Sequence, residues 1–501
     1  MSKDRILNPQ FRGKIMSADE AAALVPAGAN VGVSGFTGAG YPKVVPVALA
    51  KRILDARLAG KKFKVSLWTG ASTAPELDSA LAIVDGVEKR LPYQSDPVLR
   101  NKINEGSIEY TDIHLSHVAQ LAAFGFLGKL DVAIIEVTGI TADGKLISSS
   151  SVGNNVTWLE RADKVILEVN AWQNAALEGM HDIYSVALPP NRQPIPLTSA
   201  TDRIGNPYIT IDPNKVVAVV ETHHPDRNSP FSPPDESSKK IAGHILEFLT
   251  HEVKQGRLPK HLLPLQSGVG NIANAVLSGL NDGPFENLVS YTEVLQDGML
   301  DMIKSGKLVC ASATAFSLSP DALSELNKDL ARYSKNIILR PQEISNSPEV
   351  IRRLGVIAMN GMIEADLYGN VNSTHVMGTK MMNGLGGSGD FARNAYLSIF
   401  MTPSTAKGGD ISCIVPMVSH VDHTEHDVQG LVTEQGFADL RGLSPKQRAK
   451  VVIENCAHPD FKPALKDYYK RAYDKAAGKH TPHLLEECLS WHLKYLDKGR
   501  M

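Results

Sequence analysis

Short apolar runs rich in β-branched residues recur along the chain between segments whose apolar positions follow a helical period. This alternation predicts an α/β fold in which a mostly parallel sheet carries helices on its faces. Residues 31–33 read as a strand, 42–54 as a helix with Pro42 in its first turn, and 65–68 as the next strand. Residues 132–135 and 165–169 add two buried-strand candidates, and 237–253 has helical spacing.

The pattern breaks most clearly at 222–236, where Pro225, Pro230, Pro233 and Pro234 are spread among polar residues and forbid regular pairing. We therefore expect a domain at 1–221, a proline-rich linker at 222–236 and a second domain at 237–501. The length of 501 residues exceeds what one core usually serves. The halves also repeat an order. A glycine run ending at Gly40 opens a helix in the first, and Gly268-Val269-Gly270-Asn271 opens one in the second. A strand follows each, and only in the second does it end in a carboxylate, Glu293. Two related α/β domains with one active site per chain are expected.

Composition narrows the function. A formal net charge of −2 argues against a surface built to neutralise phosphate backbones, so no nucleic-acid partner is expected. The apolar runs are too short to span a bilayer, so no membrane partner is expected either. The residues from Met1 to Phe11 lack the apolar stretch of a secretory signal. Cys310, Cys413, Cys456 and Cys488 lie far apart, which fits reduced thiols and a cytoplasmic location.

Three motifs carry chemistry. Gly268 to Asn271 precede Ile272, Ala275, Val276 and Leu280, which share one helix face. Backbone amides there favour negative charge, although the same glycines would serve a turn with no ligand. A dinucleotide fingerprint is absent. Glu293 follows an apolar strand and precedes Asp297, a cap for the helix carrying Met299, Met302 and Ile303, so its carboxylate is expected at the ligand-bearing edge of a parallel sheet. The run from Asn383 to Phe391, dense in glycine, is able to form an anion nest or a hinge, with Lys407 beyond the next strand. His420, Asp422, His423 and His426 lie close in sequence without the spacing of a known metal set, and a hydrogen-bonded polar network is expected instead. Cys456 and His458 are read as packing rather than as nucleophile and base.

Together, Ser34-Gly35-Phe36-Thr37, Thr69-Gly70-Ala71-Ser72, Gln266 to Asn271, Tyr291-Thr292-Glu293-Val294, Gly386 to Phe391 and Thr433-Glu434-Gln435-Gly436 resemble the acetyl-CoA hydrolase/transferase family of class I CoA-transferases. The resemblance spans nearly the whole chain. It lies closest to the succinyl-CoA:acetate CoA-transferases, with propionyl-CoA:succinate CoA-transferases as near relatives. It implies that Glu293 forms a glutamyl-CoA thioester and that Gly268, Val269, Gly270, Asn271 and Ile272 bind CoA and stabilise an oxyanion. It further implies CoA contacts at Ile363, Asn383, Gly387 and Lys407, and supporting polar roles for Ser72, Asn346 and Glu434. Coenzyme A is then substrate and transient covalent adduct, with no metal and no tightly bound cofactor. Partners are acyl-CoA and short-chain carboxylates, and a homodimer is implied. An acyl-CoA hydrolase and a non-catalytic CoA sensor are the competing readings.

Overall fold

The helix expected at 42–54 begins later, at Val45–Leu58, with Pro46 rather than Pro42 in its first turn. In the computed structural model, which describes residues 4–228, 230 and 232–501, the reason is a distant carboxylate. Glu168, near the end of the strand Lys164–Asn170, accepts hydrogen bonds from the amides of Lys43, Val44 and Val45, the last two at 3.1 Å. A negative charge on the unsatisfied N–H groups of a helix start complements its dipole. A partner this remote in sequence has no local signature. Met1, Ser2, Lys3, Ser229 and Phe231 lie outside the described residues, and with them part of the N-terminal reading and two positions of the proline-rich stretch.

The chain divides into two units: Met1–Pro230 with Ser290–Asp297 and Cys310–Val350, and Phe231–Val289 with Gly298–Val309 and Ile351–Met501. In the first, the strands run Val216–Thr222, Lys164–Asn170, Val132–Ile140, Asn30–Val33, Val65–Trp68, Val87–Leu91 and Glu109–Tyr110 in spatial order, all pairings parallel. Leu146–Ser148 lies antiparallel beside Val132–Ile140. Every residue of Val132–Ile140 is buried, as a central parallel strand covered on both faces requires. Val31, Val33, Leu67, Ile134 and Ile166 join Leu49 and Ile53 of the helix in one core. Each such side chain contributes about 2 kcal/mol on burial.

In the second unit, Leu265–Ser267, Ile357–Gly361, Leu397–Met401 and Gly430–Thr433 form a parallel run, and Gly436–Asp439 returns antiparallel to close it. Phe400, Leu431 and Ala438 meet Val452, Ile453 and Leu465 of two helices in its core. The helix Glu236–Lys254 is capped by Asp235, which accepts from the Ser238 amide at 2.7 Å. Both units thus carry the mostly parallel sheet flanked by helices that the sequence pattern predicts. Asp297 is the first residue of the helix Asp297–Lys304, and one of its carboxylate oxygens accepts from the amide of Ser319 at 2.8 Å. No helix among the described residues is long and apolar enough to cross a membrane, and all four cysteines are buried without disulfides.

Candidate active site

In the first unit, Glu293 occupies the turn between the strands Leu288–Tyr291 and Val294–Gln296. Its backbone is clamped from both sides. The amide of Thr292 donates to the Ser312 carbonyl at 2.9 Å, and the Glu293 carbonyl accepts from Thr314 at 2.8 Å and Ala315 at 3.3 Å. Val294–Gln296 then pairs in parallel with Ala315–Ser317. The half-buried carboxylate accepts from the side-chain amide of Asn346 at 2.9 Å. Asn346 is fully buried and ends the short helix Gln342–Ser345, its own amide bonded to the Gln342 carbonyl at 2.9 Å.

Ser72 is also fully buried. It lies on the two-residue strand Ala71–Ser72, in register with Thr37, and its hydroxyl has no hydrogen-bond partner among the described residues. Ala71 and Val294, the neighbours of Ser72 and Glu293, pack with Phe36, Leu115, Ala315 and Tyr93 in one apolar cluster. Tyr93 carries an electrostatic mark of the site. Burial pushes its phenol up to about 12, against a hydrogen bond with Ser95 that lowers it, and the negative charge of Glu293 adds to the rise.

In the second unit the remaining candidates collect after the C-terminal ends of the parallel strands, the edge where open α/β sheets hold ligands. Gly268 leaves the strand Leu265–Ser267 with its amide on the Met359 carbonyl at 2.9 Å. Val269 is exposed, and Gly270 enters the helix Asn271–Asp282 at φ 134°. A β-carbon there would meet nothing within 4 Å, so the backbone conformation, not space, demands glycine. Asn271 and Ile272 begin that helix. Ile363 follows the strand Ile357–Gly361 and bonds the Asn372 carbonyl at 2.8 Å. Asn383 donates to the carbonyls of Gly384 at 2.8 Å and Ser373 at 3.4 Å, and Gly387 is the buried N-cap of the helix Ser388–Asn394. Lys407 is exposed at the turn that joins Thr405–Ala406 to Ile411–Ser412.

Glu434, in the turn after Gly430–Thr433, accepts from the amide of Ser404 at 2.7 Å, from its hydroxyl, and from Gln435 at 2.8 Å. Burial alone would raise its carboxyl, but the Ser404 bonds outweigh that and hold it below the usual carboxylate range. A carboxylate so occupied is a clamp on the 404 segment. Ser72, Glu293 and Asn346 therefore belong to one unit, and Gly268 to Ile272, Ile363, Asn383, Gly387, Lys407 and Glu434 to the other.

The histidine cluster enters a polar network in which Nε2 of His420 lies 3.4 Å from an Asp422 oxygen. Asp422 accepts from the Ser373 amide at 2.6 Å and from the Thr374 hydroxyl, while Nε2 of buried His423 meets the Ser388 hydroxyl at 3.1 Å. Among the described residues no group of three or more His, Cys, Asp or Glu side chains is arranged to hold a metal ion. Burial pushes the Cys456 thiol up to about 12, where a thiolate nucleophile is disfavoured.

Residues 1–221 match the acetyl-CoA hydrolase/transferase N-terminal domain and residues 324–469 the C-terminal domain of the same family. The chain belongs to the acetyl-CoA hydrolase/transferase family. It is 52% identical to succinyl-CoA:acetate CoA-transferase of Clostridium kluyveri, across 100% of this chain and 92% of that protein. Propanoyl-CoA:succinate CoA transferase of Escherichia coli is 46% identical over 97% of this chain and 98% of its own length. Acetyl-CoA hydrolase of Schizosaccharomyces pombe is 47% identical over 99% and 98%. Among solved structures, RipA from Yersinia pestis superposes with a TM-score of 0.70 at 23% identity, covering 92% of this chain and 98% of that one, which bears on the fold alone. Membership makes this chain an enzyme of the CoA-transferase and hydrolase kind, with CoA as substrate.

Reading the sequence missed Tyr93 and Ser404. Ser404 was findable, because it follows the strand Leu397–Met401 at the same sheet edge as the other candidates. Tyr93 is placed only by long-range packing.

Proposed function

We propose that this family member moves CoA from succinyl-CoA to acetate, or a similar short-chain carboxylate, by a ping-pong route through Glu293. The observation that carries the reading is the Glu293 carboxylate in a strand-end turn, half exposed and bonded to Asn346. Alongside it stands 52% identity to a succinyl-CoA:acetate CoA-transferase.

In this reading a Glu293 oxygen attacks the thioester carbonyl; the C–S bond breaks, leaving an acyl-glutamyl anhydride and CoA thiolate. The thiolate attacks the glutamyl carbonyl and expels the first carboxylate, so CoA becomes a thioester of Glu293. The second acid runs the sequence in reverse. Asn346 orients the nucleophile, and Ser72 and Glu434 support the site. Gly268 to Ile272, Ile363, Asn383, Gly387 and Lys407 bind CoA, and backbone amides at the entrance of the helix Asn271–Asp282 stabilise tetrahedral oxyanions by about 3 kcal/mol per donor. Remote contacts to CoA orient the thioester for attack. The enzyme works as a homodimer in the cytoplasm, without a metal or tightly held cofactor.

Incubation with succinyl-CoA and no acceptor should raise the protein mass by CoA minus water, on the peptide containing Glu293. Glu293→Ala should abolish adduct and transfer. An adduct elsewhere, or full transfer by Glu293→Ala, would sink the reading. A hydrolase is the second reading, favoured by the 47% identity to a fungal acetyl-CoA hydrolase. Equal CoA release with and without acetate would support it.

A further inference from the structure

Lys43, Glu136 and Asp226 form a charge cluster enclosed in the first unit, with side chains 2%, 0% and 2% exposed. The Lys43 ammonium lies 2.5 Å from Glu136 and 2.7 Å from Asp226, and donates to the Tyr41 carbonyl at 2.8 Å. Burial pushes the Glu136 carboxyl up to about 7, with Lys43 opposing the rise. Taking such ions out of water is costly, and well-packed apolar replacements are often as stable, so stability alone is a poor account of the cluster.

What Asp226 holds points to a different account. One oxygen accepts from the Gly40 amide at 3.0 Å, and the other from the Ser150 hydroxyl and from Gln173 at 3.1 Å. On one side, Gly40 closes the loop whose Phe36–Thr37 segment pairs with Ala71–Ser72. On the other, the Ser150 carbonyl accepts from Phe316 at 3.0 Å, the Val152 amide reaches the Thr314 carbonyl at 2.8 Å, and the Gly153 amide reaches the Thr314 hydroxyl at 3.0 Å. Thr314 in turn holds the Glu293 carbonyl, and the Gly153 carbonyl accepts from Gln342 at 2.9 Å, at the head of the helix that ends on Asn346. One short run, 150–153, therefore touches the supports of both Glu293 and Asn346.

We infer that Asp226, held by Lys43, is a positioning residue: by locking Gly40 and Ser150 it sets the placement of Glu293 against Asn346 and that of the Ala71–Ser72 strand. The inference rests on the reading of Glu293 as nucleophile. Asp226, which lies in the proline-rich stretch, is then part of the catalytic support.

The test compares Ser150→Ala, Lys43→Met/Asp226→Leu and Lys43→Met/Asp226→Asn for thermal melting, KM for succinyl-CoA and the single-turnover rate of Glu293 adduct formation. The Leu double variant removes the Lys43–Asp226 pair and the anchor together, leaving buried Glu136 to bind a proton, whereas Asn keeps an acceptor for Gly40 and a donor for Ser150. The first two should melt near the unsubstituted protein with KM little changed, yet form the adduct roughly tenfold more slowly or worse, because small misplacements erode the orientation advantage. The Asn double variant should recover most of the rate. Unchanged adduct rates in folded Ser150→Ala and Leu variants, or rate losses in all three that follow melting temperature, would overturn the inference. Should the Leu variant not fold, Ser150→Ala, which removes one hydroxyl, decides the matter. An unsubstituted protein that forms no adduct removes the nucleophile reading and this inference together, whereas a normal adduct beside equally fast variants removes the inference alone.

Discussion

The side-chain amide of Asn346 donates to the Glu293 carboxylate over 2.9 Å, joining the end of a short helix to a strand-end turn separated from it by 53 positions. The contact holds one carboxylate oxygen against a buried donor. Asn346 needs no rotamer search, because it is wholly buried and its backbone closes the helix Gln342–Ser345.

Replacing Asn346 with Ala should slow Glu293 adduct formation on the order of 10²-fold by releasing the proposed nucleophile from its oriented pose. Asn346→Asp should act differently. A second carboxylate at hydrogen-bond distance disfavours ionisation of Glu293, so the acidic limb of the kcat/KM profile should move to higher pH. Stopped-flow turnover and pH–rate curves check the pair; an unmoved limb in Asn346→Asp would show that the 2.9 Å contact does not govern the reacting carboxylate.

Gly387→Val should lower turnover more than stability. Gly387 adopts φ −95° and ψ 1° at the N-cap of Ser388–Asn394, a conformation open to any residue, so the backbone does not require glycine there. A side chain would instead stand where the proposed thioester must approach backbone amides. Thermal melting and steady-state turnover should separate, and normal turnover in a stable variant would remove the loop from the chemistry.

Stability should rise with pH through the titration of His181. Burial lowers this imidazole from its ordinary 6.5 to about 4, against the bond to the Ser149 carbonyl that favours the charged form. With a folded value below the unfolded one, the unfolded state binds the extra proton between those limits. The neutral buried ring therefore costs nothing above 6.5, and stability falls as pH drops toward 4. The full shift corresponds to about 3 kcal/mol. Urea unfolding across this range should show the slope, and His181→Gln, which does not titrate, should flatten it.

Local rules made most of the elements readable. The strand at 65–68 and the one at 397–401 coincide with their apolar runs, and the helix Glu236–Lys254 lies within a residue of its expected bounds. Glycine at Gly270 was legible because a left-handed backbone asks for it at the helix entrance. The helix at Val45 was misplaced by three residues because its start is set by Glu168, 123 positions away. The bond from the Ser319 amide to Asp297 is likewise set by a residue 22 positions away.

By itself the sequence determined the α/β alternation, the order of the glycine-bearing turns and the presence of Glu293 at the end of a strand, since each follows from periodicity and turn chemistry within a few residues. Tertiary structure decided what surrounds that carboxylate. Asn346 at its side, Thr314 on its carbonyl and Tyr93 within its field all depend on which distant strands become neighbours. Buried polar groups must find partners wherever the fold brings donors and acceptors together, and that requirement leaves no pattern along the chain.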